Sequence, residues 1–241
     1  MTAEAMRRQA LVRNGASEAN GALMRCAPLA VLAWAERLDA STTARMARED
    51  ALLSHPSPDC QEANAAFCAA LHLLLHKPND AAGALAAARR AAVRLETVLS
   101  WIEQGVTYAT LPALVEKYGP EARRNEGHAK HAIVAAFSLL GMFASSSSSS
   151  SPSFEECIEA VLQLGGDTDT NACICGYLLG AIHGARGIPS YMRDPVLAFD
   201  CTAVRHTPSC LIGNPRPERY RNANVLRIAK EMADRRTASV R

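Results

Sequence analysis

The chain has 241 residues, 49% of them hydrophobic, and its 26 basic and 24 acidic side chains leave a net charge of +2. That length and apolar content suffice for a sizeable core, and charges scattered along the chain form neither the basic footprint of a nucleic-acid-binding protein nor an acidic tail. No run approaches the roughly 18 apolar residues of a membrane span, and the N-terminal "MTAEAMRRQALVRNG" lacks the apolar stretch of a secretory signal, so a cytoplasmic protein without membrane or nucleic-acid partners is expected.

The eight cysteines, Cys26, Cys60, Cys68, Cys157, Cys173, Cys175, Cys201 and Cys210, form no Cys-x-x-Cys pair, and several lie in Ala/Leu-rich segments. Free thiols of a reducing compartment are the expectation. Abundant Ala, Leu, Arg and Glu, only 5% aromatic residues and no sustained alternation of apolar and polar residues predict an all-α fold.

In chain order, a first helix is expected in "LAVLAWAERL" after Pro28, and a second in "TARMAREDALLS", stopped by Pro56 and Pro58. "CQEANAAFCAALHLLLHK" follows as a strongly helical segment, and "DAAGALAAARRAAVRLETVLSWIEQG" reads as one long helix ending near Gly105. Residues 105–127 read as irregular apart from a short helix around "LPALVEKYG". The pattern resumes in "HAKHAIVAAFSLLGMF". Seven serines, Ser145 to Ser151, cannot bury apolar area and are read as a disordered surface loop. "SPSFEECIEAVLQLGG" has Ser153 and Glu156 at capping-box spacing. Residues 190–219 read as irregular, and "NANVLRIAKEMADRR" predicts a final helix. Neither an internal repeat nor a long linker divides the chain, so a single domain over residues 1–241 is expected.

The segment that points to chemistry is "LQLGGDTDTNACICGYLLG", Leu162 to Gly180. Gly165 and Gly166 suit a tight reversal with positive φ. One of Asp167, Thr168, Asp169, Thr170 and Asn171 can cap the apolar helix that follows. One cap does not account for two carboxylates two residues apart with further side-chain oxygens beside them, because close like charges need a compensating cation or basic group. An EF-hand loop is excluded: Ala172 stands where it needs Gly and Leu178 where it needs Glu. A Mg²⁺ or Mn²⁺ site completed by water remains, beside plain capping by solvated carboxylates.

"GGDTDTNACICGYLLGAIHGARGIP" resembles the metal-binding signature of the ADP-ribosylglycohydrolase family, of the dinitrogenase-reductase-activating type. "SEANGALMRCAPLAV", "LLSHPSPDCQEANAAF" and "GHAKHAIVAAFSLL" resemble further segments of that family in the same order, so the resemblance covers roughly residues 10 to 200. It implies an all-α orthogonal helical bundle, a cleft with two divalent cations, usually Mg²⁺, and hydrolysis of the glycosidic bond between ADP-ribose and a protein side chain. By position it implies Asp167, Asp169 and Thr170 as metal ligands and Ser17, Asn20 and Gly21 in the loop lining the ADP-ribose pocket. His55 is a weaker pocket candidate, and Met24 and Arg25 are assigned to packing and pairing. No catalytic residue is assigned.

The family's Gly-Asp-Ala-x-Gly helix and Thr-Asp-Asp segment, which supply the other metal ligands, have no counterpart in this sequence. One ion or none is therefore expected, missing N-terminal helices would leave apolar surface for a homodimer, and a non-catalytic ADP-ribose-binding or degenerate relative is the rival reading. His72 and His76, four apart, and His128 and His131, three apart, are read as structural pairs, because the metalloprotease Glu of a His-Glu-x-x-His helix is absent from the first and both lie in apolar helices.

Overall fold

The computed structural model describes residues 2–145, 151–202 and 216–238. Among them there are helices and no strand. The expected serine loop lies, but for Ser145 and Ser151, outside the described residues, as does Cys210. The other seven cysteines are free thiols.

The helices are α1 (Ala3–Asn14), α2 (Ala27–Ala35), α3 (Ala40–Ala51), α4 (Pro58–His76), α5 (Ala81–Ala91), α6 (Glu96–Val106), α7 (Leu111–Ala122), α8 (Ala129–Ser145), α9 (Phe154–Leu164), α10 (Thr168–Gly187), α11 (Ser190–Ala198) and α12 (Asn224–Ala238). The chain divides into two compact units, Met1–Gly187 and Ile188–Arg241. In the first unit α4 and α8 form the centre. Both are apolar nearly all round, as helices surrounded by others must be, and α4 touches α2, α3, α5, α6, α8 and α10. Phe67, Leu74, Ile133, Phe137, Leu139 and Leu140 are fully buried there. Within α10 the backbone leaves helical geometry at Gly184. In the second unit Arg221 ties the segment before α12 to Asp200, and Asn222 donates to the carbonyl of Val196 in α11. No helix among the described residues is long and apolar enough to cross a membrane.

Two expectations are corrected. The single helix foreseen over 80–105 is two, broken between Ala91 and Glu96. No proline or glycine marks the break. The carbonyl of Ala91 accepts from the guanidinium of Arg48 at 2.6 Å, and Leu95 turns extended with φ −136° before α6 begins. Arg48 is itself held by two hydrogen bonds to Glu62, so the break is stabilised by residues more than 25 positions away. The second correction is α11, which forms in the segment read as irregular; Pro189 precedes its first turn.

Candidate functional site around the acidic turn

Helix α9 begins with the foreseen capping box, Ser153 accepting from the N–H of Glu156 and Glu156 from that of Ser153. It ends at Gly165 and Gly166, with φ of +77° and +71°. A side chain at Gly166 would place its Cβ 2.4 Å from the carbonyl oxygen of Ala122, so the reversal requires glycine for space as well as for φ. Arg123 closes the turn from outside: its guanidinium donates to the carbonyls of Leu164 and Gln163, the last carbonyls of α9.

The chain then enters α10 through the acidic turn. Asp169 is exposed, and its Oδ1 accepts from the N–H of Thr170 at 2.9 Å. The carbonyl of Asp167 accepts from the N–H of Asn171. The Asp167 side chain reaches further. Its Oδ2 accepts from Nδ2 of Asn20 at 2.7 Å, across 147 positions of sequence. Burial alone would raise the Asp167 carboxyl, but hydrogen bonding, led by that from Asn20, outweighs it and holds the group below its usual range. Asn171 is 2% exposed, and its Oδ1 has no protein partner.

Asn20 is buried and fixed at its backbone as well, its N–H donating to the carbonyl of Gly127 at 2.7 Å. Ala19 and His128 form a short antiparallel bridge, and the N–H of Ala129 donates to the carbonyl of Glu18. The loop before α2 is thus clamped to the entrance of α8 while its Asn reaches the entrance of α10. Gly21 faces His55. A Cβ at residue 21 would lie 2.6 Å from the His55 ring, so glycine lets ring and backbone meet. His55 has Ser54 Oγ 3.1 Å from its Nδ1, and burial, with the charge of Arg25, lowers its pKa. Arg25 is pinned to Asp50 and to Ser54 Oγ, the pairing role expected of it, and the carbonyl of Met24 accepts from Tyr177. Ser17 is half-exposed and serves its own loop: its Oγ accepts from the N–H of Ala19 and its carbonyl from the thiol of Cys60.

The structure therefore joins Asn20 to Asp167 and Gly21 to His55, whereas no hydrogen bond of Ser17 reaches either pair. It also adds Glu18 and Asp59, which the sequence reading does not single out, and His128, which that reading takes as half of a structural pair. Glu18 Oε2 lies 2.7 Å from His128 Nε2, and the N–H of Lys130 donates to Nδ1 of the same ring. The ring's Nδ1 is therefore the acceptor and its Nε2–H points at Glu18. Burial raises the Asp59 carboxyl, and the charge of neighbouring Glu18 adds to the rise. Glu18 and His128 lie 110 positions apart, so only the "SEANG" and "GHAKH" segments of the resemblance hinted at them. His128 also borders a cavity of about 550 Å³ whose walls carry Lys117, Arg124 and Lys130. Its neighbour His131 is a core residue, between the Tyr118 hydroxyl and the carbonyl of Arg124, each at 2.8 Å.

Oxygen ligands for a hard cation are present in Asp167, Asp169 and Thr170. Among the described residues no group of three or more His, Cys, Asp or Glu is placed to hold a metal ion. The turn by itself therefore offers two carboxylates and a hydroxyl, short of a full divalent shell.

Over 63 residues, 26% of this chain and 18% of the relative, the chain is 41% identical to L543 of Acanthamoeba polyphaga mimivirus, a protein provisionally named an ADP-ribosyl glycohydrolase. The match thus spans less than a fifth of that relative's length. No solved structure matches. The family comparison covers far more, matching ADP-ribosylglycohydrolase over residues 2–214 and running across the boundary between the two units. With that match spanning most of its length, the chain belongs to the ADP-ribosylglycohydrolase family.

Proposed function

We propose that the acidic turn and the loop bearing Asn20 and Gly21 bind ADP-ribose, and that the chain hydrolyses the glycosidic bond between ADP-ribose and a modified protein side chain, as an enzyme of the dinitrogenase-reductase-activating type. The observation that carries this reading is the hydrogen bond from Asn20 to Asp167, which joins the two segments a substrate would have to bridge. Asp167, Asp169 and Thr170 would hold Mg²⁺ or Mn²⁺, and such an ion when bound supplies charge that orients ribose hydroxyls and water.

The protein's own groups account for the rest. Asn20 fixes one oxygen of Asp167, as a residue behind a ligand does. Gly21 lets the loop backbone approach the His55 ring closely. Lys117 and Arg124, beside His128, offer positive charge to a diphosphate. Cleavage at the anomeric carbon needs a group that moves a proton. Glu18, held in place by His128, and its neighbour Asp59 are the carboxyl groups that would do so.

Calorimetric titration with ADP-ribose, with Mg²⁺ and after chelation, combined with an assay of ADP-ribosylated protein, tests the reading. Mg²⁺-dependent binding with turnover, both lost in Asp169→Ala, is expected; turnover retained in that variant overturns the site. A second reading, ADP-ribose binding without hydrolysis, is favoured by the lack of a third His, Cys, Asp or Glu beside Asp167 and Asp169 among the described residues. Metal-independent binding without turnover would select it, and no binding at all would exclude both.

A further inference from the structure

A second cavity of the first unit lies away from the acidic turn. It occupies about 820 Å³ between α3, α4 and the end of α5, and none of the site residues described above lines it. That volume is in the range of small-molecule sites. Its floor is made of alanines, with Ala44, Ala69 and Ala87 buried, and its rim carries Arg45 and Arg48 from α3, Arg90 from α5, and Arg94 from the turn after α5.

The charges of these four arginines are not equivalent. Arg48 is spent: it is paired with Glu62 and donates to the carbonyl of Ala91, which fixes the wall. Glu49, the one carboxylate on the lining, is paired with Arg7. Arg45, Arg90 and Arg94 have no ion-pair partner among the described residues. These three exposed guanidinium groups, with no ion-pair partner among the described residues, line one concavity and can converge on an anion placed in it. Guanidinium groups match phosphate oxygens in two-point contacts. The alanine floor accepts an apolar or planar portion of a ligand.

We infer that this cleft is a second binding site, for a small anion carrying at least two linked phosphate groups, bound by Arg45, Arg90 and Arg94. Occupation would bridge α3 to the end of α5 on the side where Arg48 already joins them.

The test is calorimetric titration of the full chain with inorganic pyrophosphate, in the presence of a chelator so that no metal carries the anion to the acidic turn. Wild-type protein and Asp169→Ala are expected to bind alike. Arg45→Ala and Arg90→Ala are each expected to bind about tenfold more weakly, the loss of one charge-assisted contact, while Arg13→Ala, which removes an exposed charge elsewhere, stays within about twofold. Circular dichroism confirms that each variant is folded. Absence of binding in wild type overturns the inference, and so does equal weakening in Arg13→Ala, which would mean attraction by overall charge. Weakening in Asp169→Ala also overturns it, by placing the anion at the acidic turn. A parallel titration with ADP, repeated in Arg45→Ala, separates the two ligand sources: tighter binding than pyrophosphate that is weakened in Arg45→Ala shows that the alanine floor takes a nucleoside, and equal binding assigns the site to the diphosphate alone.

Discussion

Helices α9 and α10 follow one another and both open on acidic and hydroxyl side chains, yet they use them in opposite ways. At α9 the interaction is closed within four residues. Ser153 and Glu156 satisfy each other's backbone N–H groups, and Glu156 also accepts from the Ser153 hydroxyl. At α10 only part of the polar set is used locally, Asp169 on Thr170 and the Asp167 carbonyl on Asn171. The Asp167 carboxylate is aimed by Asn20 from the far end of the sequence, and Asn171 Oδ1 is buried without a protein partner. A cap ends its own helix's deficit of hydrogen bonds. A surplus of oxygens held from outside is a means of binding something else.

Substitutions sharpen that contrast, beginning with the largest effect. Asp169→Ala is expected to lower Mg²⁺-dependent release of ADP-ribose by about 100-fold or more, since even residues behind a metal ligand cost about 10–100-fold; release at the wild-type rate would reduce α10 to the same status as α9. Asn20→Ala should weaken ADP-ribose binding or turnover by about tenfold through the loosened Asp167, measured by the same titration. Stability should move elsewhere. Gly166→Ala puts a Cβ against the carbonyl of Ala122 at positive φ and is expected to cost about 2 kcal/mol or more, roughly 4–8 °C in Tm. Ser153→Ala removes only a cap, about 1 kcal/mol or 2–4 °C, with ADP-ribose binding unchanged.

The smallest effect is a pH dependence confined to α9. The backbone N–H and hydroxyl of Ser153 hold the Glu156 carboxyl below its usual range. A group depressed in the folded state contributes stability above its unfolded pKa, about 4.3 for Glu, and the contribution is lost as pH falls through the folded value. The Tm difference between wild type and Glu156→Gln should therefore be full near neutral pH and shrink below about pH 4. A difference that stays constant to low pH would mean the cap does not depend on the charge of Glu156.

The α9 cap was legible in the sequence because a capping box is local: spacing alone specifies it. The same holds for the glycine reversal, whose two positive-φ residues lie side by side, and for α4 and α8, whose apolar residues run nearly all round. The acidic turn and the Asn20 loop were identified as separate segments through a family resemblance. What joins them is a side-chain hydrogen bond that no periodicity encodes. The break between α5 and α6 escaped a local reading for a related reason, because the Ala91 carbonyl is taken by Arg48 in a stretch whose residues all favour helix. Glu18, Asp59 and His128 likewise carry no local signature; they meet because the bridge between Ala19 and His128 brings two loops together.

Sequence by itself determined the all-α class, most helices and the surplus of oxygens at the head of α10, since each rests on contacts within a few residues or on composition. Tertiary structure alone decided which carboxylate is oriented, that Gly21 lies on His55, and that three unpaired arginines share one cleft. Those depend on the packing of helices around α4 and α8, and packing energy is nonlocal: it is set by which surfaces meet, after each helix has already formed.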